Sequence, residues 1–113
     1  MTGKEALLNA LEHFMIHIQI SNDYYMETKL KACRKAIEEV KSDIVTNMDW
    51  LYSNITILLE SIPIYRAFLK RRIAEAIPGD ENIESYREEN RYLARIESKL
   101  NEFRESVMNS NHI

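Results

Sequence analysis

Between residues 4 and 62 the chain contains neither glycine nor proline. Glycine is the residue that reaches positive φ without strain, and proline locks φ and removes a backbone donor, so the two supply most sharp turns and most helix stops. A stretch this long without either favours helices over a set of short strands joined by tight turns. The shortage extends over all 113 residues, which hold two Gly and two Pro, where average usage would give about eight and about six. No glycine-rich loop is available to cradle a phosphate, and no strand-turn-strand punctuation repeats along the chain. Apolar residues at 45 % and charged residues at 29 % fit one folded domain spanning residues 1–113 rather than a disordered segment.

The apolar residues recur at helical spacing. Thr2-Gly3-Lys4-Glu5 reads as a capping box. A first helix runs from there to about Ile20, with the stripe Leu7, Leu11, Phe14 and Ile18 flanked by Leu8 and Met15. Ser21-Asn22-Asp23 is a turn that also caps the second helix. From Met26 to Ile62 one apolar position returns every three or four residues, through Leu30, Cys33, Ile37, Val40, Ile44, Met48, Leu51, Ile55 and Leu58. This spacing predicts a long second helix over 23–61, about 39 residues and about 58 Å at about 1.5 Å per residue. The double step of four at Val40-Ile44-Met48, among the poor helix formers Ser42, Asp43, Thr46, Asn47 and Asp49, marks the place for a bend or break. A break there divides the stretch into 23–45 and 48–61.

Pro63 suits the first turn of a new helix, with the stripe Tyr65, Phe68, Leu69, Ile73 and Ile77. Pro78-Gly79-Asp80 is the clearest turn in the chain. A long last helix then runs from about Glu81 to Met108 on the seam Tyr86, Glu89, Leu93, Ile96, Leu100, Phe103 and Val107, and residues 109–113 read as a frayed tail. The expected fold is all-α: an antiparallel bundle of four helices, or five if the second one breaks.

Charge and chemistry narrow the function. The net charge of −3 disfavours a globally basic nucleic-acid binder. Locally, Arg66, Lys70, Arg71 and Arg72 against Glu75 make residues 63–79 a basic element in an acidic chain, which could contact phosphates. His13 and His17, four apart on one helix face, are the weak candidate for a metal pair. The pairs Glu38-Glu39 and Glu88-Glu89 superficially resemble the helical carboxylate motif of all-α nucleotide pyrophosphatases. Ser42 and Tyr92 stand where further carboxylates would be needed, so the motif is incomplete and the family is not carried over. Cys33 lies on the apolar stripe and reads as a small buried hydrophobe. No cofactor motif and no nucleophile motif is present.

Apolar surface is left over by this pattern. Trp50 and Ile57 fall opposite the main stripe of their helix, and Ile16 and Ile20 point away from Leu7 and Leu11. The expectation is a small cytoplasmic, non-catalytic interaction protein of the adaptor, chaperone or inhibitor type. It would bind a protein partner through Trp50, Ile57, Ile16 and Ile20 and self-associate, with the last helix as a coiled-coil seam. The alternatives are a nucleic-acid-binding regulator using Arg66, Lys70, Arg71 and Arg72, and a metal-dependent enzyme using His13 and His17. No stretch is apolar enough to predict a membrane span.

Overall fold

A computed structural model describes residues 3–42 and 47–110. These residues form five helices: α1 (Gly3–Ser21), α2 (Met26–Lys41), α3 (Met48–Ser53), α4 (Ile55–Glu75) and α5 (Ile83–Ser110). No strand occurs among the described residues. α1 packs against α2, α4 and α5, and α4 and α5 pack along each other. The molecule measures 53 × 29 × 28 Å.

α1 follows its stripe, burying Leu7, Leu11, Phe14 and Ile18 together with Ala6 and Ala10. Thr2, the expected cap, lies outside the described residues. At the C-terminus of α1 the chain turns through Asn22 at φ 53°, a left-handed conformation that asparagine tolerates better than most residues. The Asp23 carboxylate accepts from the Tyr25 amide at 2.8 Å, closing a side-chain turn just before α2. α2 then buries Leu30, Cys33, Ala36, Ile37 and Val40.

The expected long second helix is not formed. α2 stops at Lys41, and α3 is a separate six-residue helix capped by Asn47, whose Oδ1 accepts from the Trp50 amide at 3.0 Å. Ile44 of the expected stripe lies outside the described residues. An asparagine that can satisfy an orphan amide competes with helix continuation, so the break falls within the run of poor helix formers. A further break separates α3 from α4. There Asn54 donates through both its backbone N–H and its Nδ2 to the carbonyl of Trp50, at 3.2 and 2.9 Å.

The boundary expected at Pro63 is absent, because α4 runs through it. Pro63 sits on the exposed face of the helix. The Leu59 carbonyl it fails to serve lies on the same side, where a helix carbonyl can tilt out to water. Downstream, α4 ends at Glu75, short of Ile77, which is 73 % exposed. Gly79 at φ 88° makes the turn, and Asp80 accepts from the Asn82 amide at 2.9 Å just before α5. α5 runs through Ser110, so its range takes in residues 109 and 110 of the expected tail, and 111–113 lie outside the described residues.

The α5 seam is spent inside the chain. Leu93, Ile96 and Leu100 join the core cluster, and Phe103 stacks on Tyr52 of α3 with ring centroids 3.9 Å apart. Glu89, also on the seam, is 2 % exposed. Its Oε1 accepts from Asn9 Nδ2 of α1 and from the Tyr65 hydroxyl of α4, both at 2.8 Å. Two contacts by Arg66 of α4 run beside it: Nε donates to Asn90 Oδ1 at 2.9 Å, and one guanidinium N–H pairs with Glu97. Burial and the neighbouring Glu89 carboxylate push the Tyr65 hydroxyl well above the ordinary tyrosine range, so it remains a donor.

Two variants test this packing. Tyr65→Phe leaves Glu89 with one donor and should cost about 2 kcal/mol in urea unfolding, as expected for a hydrogen bond to a charged group. An unchanged midpoint would show that the bond contributes nothing net. Pro63→Ala restores a donor on the solvent face and should raise stability by about 2 kcal/mol, the interior proline penalty less the entropy regained by the unfolded chain. A lower melting temperature would mean that the helix depends on the proline.

Candidate functional site

One face of α1 carries Ala6, Asn9, His13, Ile16, His17 and Ile20, since residues three and four apart line up along a helix. Its neighbours cover this face unevenly. Near the N-terminal end Asn9 bonds to Glu89 of α5, and the Tyr92 ring closes over Gly3 so tightly that a Cβ there would collide with it. In the middle His13 lies against Tyr65 and Phe68 of α4, at centroid separations of 5.2 and 4.8 Å. Beyond His13 the cover ends. Ile16 is 58 % exposed and Ile20 80 %. Tyr24 and Tyr25, in the turn after α1, are 91 % and 62 % exposed, and their rings meet edge to face at 4.9 Å.

This bare end is held in place. Ser21 Oγ donates to the His17 carbonyl at 2.8 Å, and the Asp23 amide reaches the Ile18 carbonyl at 3.5 Å. Lys29 of α2 pairs with Asp23 at 2.9 Å and with Glu60 of α4 at 3.1 Å, tying the turn to the bundle. The hydrogen bond from Lys29 draws the Asp23 carboxyl below its ordinary range, and the same bond raises the Lys29 ammonium. These are partly exposed pairs, so their geometric role outweighs their energy.

The sequence candidates separate on this structure. Ile16 and Ile20 are exposed, as their spacing implies. Trp50 and Ile57 are not surface anchors: both are core residues, at 7 % and 6 % exposure. The two breaks make α3 a short element of its own, so a helical wheel drawn across 48–62 misplaces both side chains. The Trp50 indole N–H is buried without a partner among the described residues. The basic set divides as well. Arg66 is committed to Asn90 and Glu97, whereas Lys70, Arg71 and Arg72 are exposed. Arg72 rests over the Phe68 ring, 5.4 Å from its centroid. Tyr24 and Tyr25 are not among the sequence candidates, although a Tyr-Tyr pair directly after a turn and ahead of the α2 stripe was a usable signal.

His13 and His17 share a face, but no group of three or more His, Cys, Asp or Glu is arranged to hold a metal among the described residues. His112 lies outside them. Cys33 is buried, and burial raises its thiol to about 11, which keeps it protonated and unreactive. A depression of about 310 Å³ opens beside Glu89, bordered by Tyr92, Arg91 and Arg95. No helix among the described residues is long and apolar enough to cross a membrane. No protein-family model, curated protein or solved structure matches the chain.

His13 carries a pH dependence. Its Nδ1 is buried without a partner among the described residues, and burial, then His17, then Arg71 all disfavour the imidazolium, so its pKa is lowered from the ordinary 6.5. The unfolded chain therefore binds a proton that the native chain resists. Stability should be full above about pH 6.5 and fall as the pH drops below it, toward the depressed native value. Urea midpoints of the parent and of His13→Leu at about pH 7.5 and about pH 5.5 check this, because the variant should lose less on acidification. Equal losses would place the acid sensitivity elsewhere.

Proposed function

We propose that the chain is a non-catalytic protein-interaction module, of the adaptor, chaperone or inhibitor type, that binds a partner protein through the end of α1 and the turn after it. One observation carries this reading. Four large apolar side chains, Ile16, Ile20, Tyr24 and Tyr25, lie within ten consecutive residues, and each is more than half exposed. Scattered exposed hydrophobics are normal, whereas a contiguous group on a fixed scaffold marks an interaction site. Tyrosine also suits such a site, since it brings contact area and a polar tip for little conformational entropy. On this reading the helices pack as an antiparallel bundle across the short turns at 22–25 and 76–82. The protein would act in the cytoplasm, and the protonated, buried Cys33 needs no oxidising compartment.

Self-association belongs to the same reading, but by a different route from the α5 seam. Leu93 and Leu100 are fully buried in the chain's own core, so a coiled-coil homodimer through them would require the bundle to open. Val107 and Met108, beyond the core, are the exposed apolar residues of that helix. Binding to nucleic acid is the second reading, favoured by Lys70, Arg71 and Arg72, which form no ion pair with the described residues.

The test is affinity capture from cells of the protein's source with the parent chain and with Ile20→Asp. A partner held by the parent should be lost with Ile20→Asp, while thermal melting shifts little, because an exposed substitution changes stability by about 0.5 kcal/mol or less. Retention of every captured protein by Ile20→Asp would remove this surface as the binding site.

A further inference from the structure

The bare end of α1 has two halves. Ile16 and Ile20, one helical turn apart, make an aliphatic half. Tyr24 and Tyr25, whose rings meet edge to face, make an aromatic half in the turn that follows. The Asp23 amide reaches back to the Ile18 carbonyl at 3.5 Å, so the turn folds onto the end of α1. Ile20 stands midway in the chain: Ile16 precedes it by four residues and Tyr24 follows it by four. The charge at the turn is taken up within the chain. Asp23 and Glu60 share the Lys29 ammonium, and His17 adds to the field that draws the Asp23 carboxyl down.

We propose that a second copy of this chain covers this patch, with the two α1 ends antiparallel about a two-fold axis beside Ile20. The inference rests on the protein-interaction reading above and names its partner. Two-fold pairing puts the same surface on both sides, so that surface must complement itself. An axis beside Ile20 sets this residue against its counterpart and carries each Ile16 toward the tyrosine turn of the other copy. Each large apolar side chain then meets an apolar one. The area is sufficient as well. At their exposures the four side chains present about 500 Å² per copy, so a pair buries about 1,000 Å² before any flanking residue is counted. That is the size at which a specific interface begins, about 1,000 Å² in all. The bridge at the turn leaves a second copy no lone carboxylate there to meet its like, and it offers a foreign partner no lone charge to be selected by.

The experiment is sedimentation velocity on the full chain over about 1 to about 300 µM, which spans the micromolar affinity of a small specific interface. The mass should double as concentration rises. Ile20→Asp should weaken dimerisation at least about hundredfold, since the change enters twice and sets two carboxylates side by side on the axis. Tyr24→Ser should weaken it about tenfold or more. Under mild oxidation Ile20→Cys should link two copies by a disulfide, which forms only where the two Cα atoms come within about 7 Å. Val107→Cys, far along α5, should not. The native Cys33 is buried and stays out of that reaction. Ile20, Tyr24 and Val107 are all exposed in the single chain, and circular dichroism melts check that the variants stay folded.

A parent that stays monomeric at every concentration would overturn the proposal. So would a dimer that survives both Ile20→Asp and Tyr24→Ser, whose interface must lie elsewhere. A dimer lost in those variants but not linked through Ile20→Cys would overturn the axis beside Ile20. Flotation of a monomeric parent with phosphatidylcholine vesicles would make a lipid surface the occupant instead. A monomeric parent whose captured cellular protein is lost with Ile20→Asp would overturn this inference and leave the interaction surface standing. If neither dimer nor capture depends on Ile20, both fail.

Discussion

A carboxylate removed from water needs donors, and in this protein Glu89 finds them on two other helices. Asn9 of α1 and Tyr65 of α4 both reach its Oε1 at 2.8 Å, which places α1, α4 and α5 in one register relative to one another. Leucine at position 89 would bury as well and tolerate a slide or rotation of any of the three helices. The glutamate does not tolerate it, because losing either donor leaves charge in a low-dielectric site, which costs more than the bond itself contributes. Arg66 works in the same direction from the surface, joining α4 to Asn90 and Glu97, two positions a full two turns apart on α5.

That register determines what is left uncovered. With Asn9 held at Glu89 and Tyr92 closed over Gly3, α5 covers the first part of the α1 face. With Tyr65 committed to Glu89, its ring and that of Phe68 cover His13 and reach no further. Ile16 and Ile20 emerge just past the last covering ring. The uncovered surface is thus the continuation of the same helix face that packs internally, and its boundary is set by a buried polar contact. His13 sits on that boundary with an unpartnered Nδ1, so acidification presses on the joint between covered and uncovered parts.

Much of the architecture was legible in the sequence. The α1 stripe, the turns at 21–23 and 78–80, the buried Cys33 and the outward Ile16 and Ile20 come from spacing and turn chemistry alone. The breaks around α3 were legible only in part. Apolar residues keep a three-and-four spacing across them because both segments bury against the same core, so periodicity cannot distinguish one long helix from several short ones. The cap at Asn47 and the bond from Asn54 to the Trp50 carbonyl make the difference, and both are side-chain choices that propensity alone leaves open. Trp50 went astray for that reason. Pro63 misled differently: its rule concerns the lost hydrogen bond, and that loss depends on which face of α4 meets water, a tertiary fact. Glu89 was visible as a polar break in the α5 seam, but Asn9 and Tyr65 are eighty and twenty-four residues away, and nothing local marks them as its partners.

The exposed end of α1 also differs from a loop that happens to carry hydrophobic residues. Ile16 and Ile20 are β-branched residues on a helix, where χ1 is largely fixed before any partner arrives. Tyr25 follows a backbone held by the Asp23 side chain, and Asp23 is itself held by Lys29, whose second carboxylate partner lies on α4. Each constraint removes freedom that binding would otherwise have to remove, and rotamer-rich side chains cost about 0.5–1.5 kcal/mol apiece when they are immobilised at an interface. A surface fixed by its own bundle can therefore bind with modest area. By the same argument, loosening the Asp23–Lys29–Glu60 bridge would weaken the proposed binding without touching a single residue of the apolar patch.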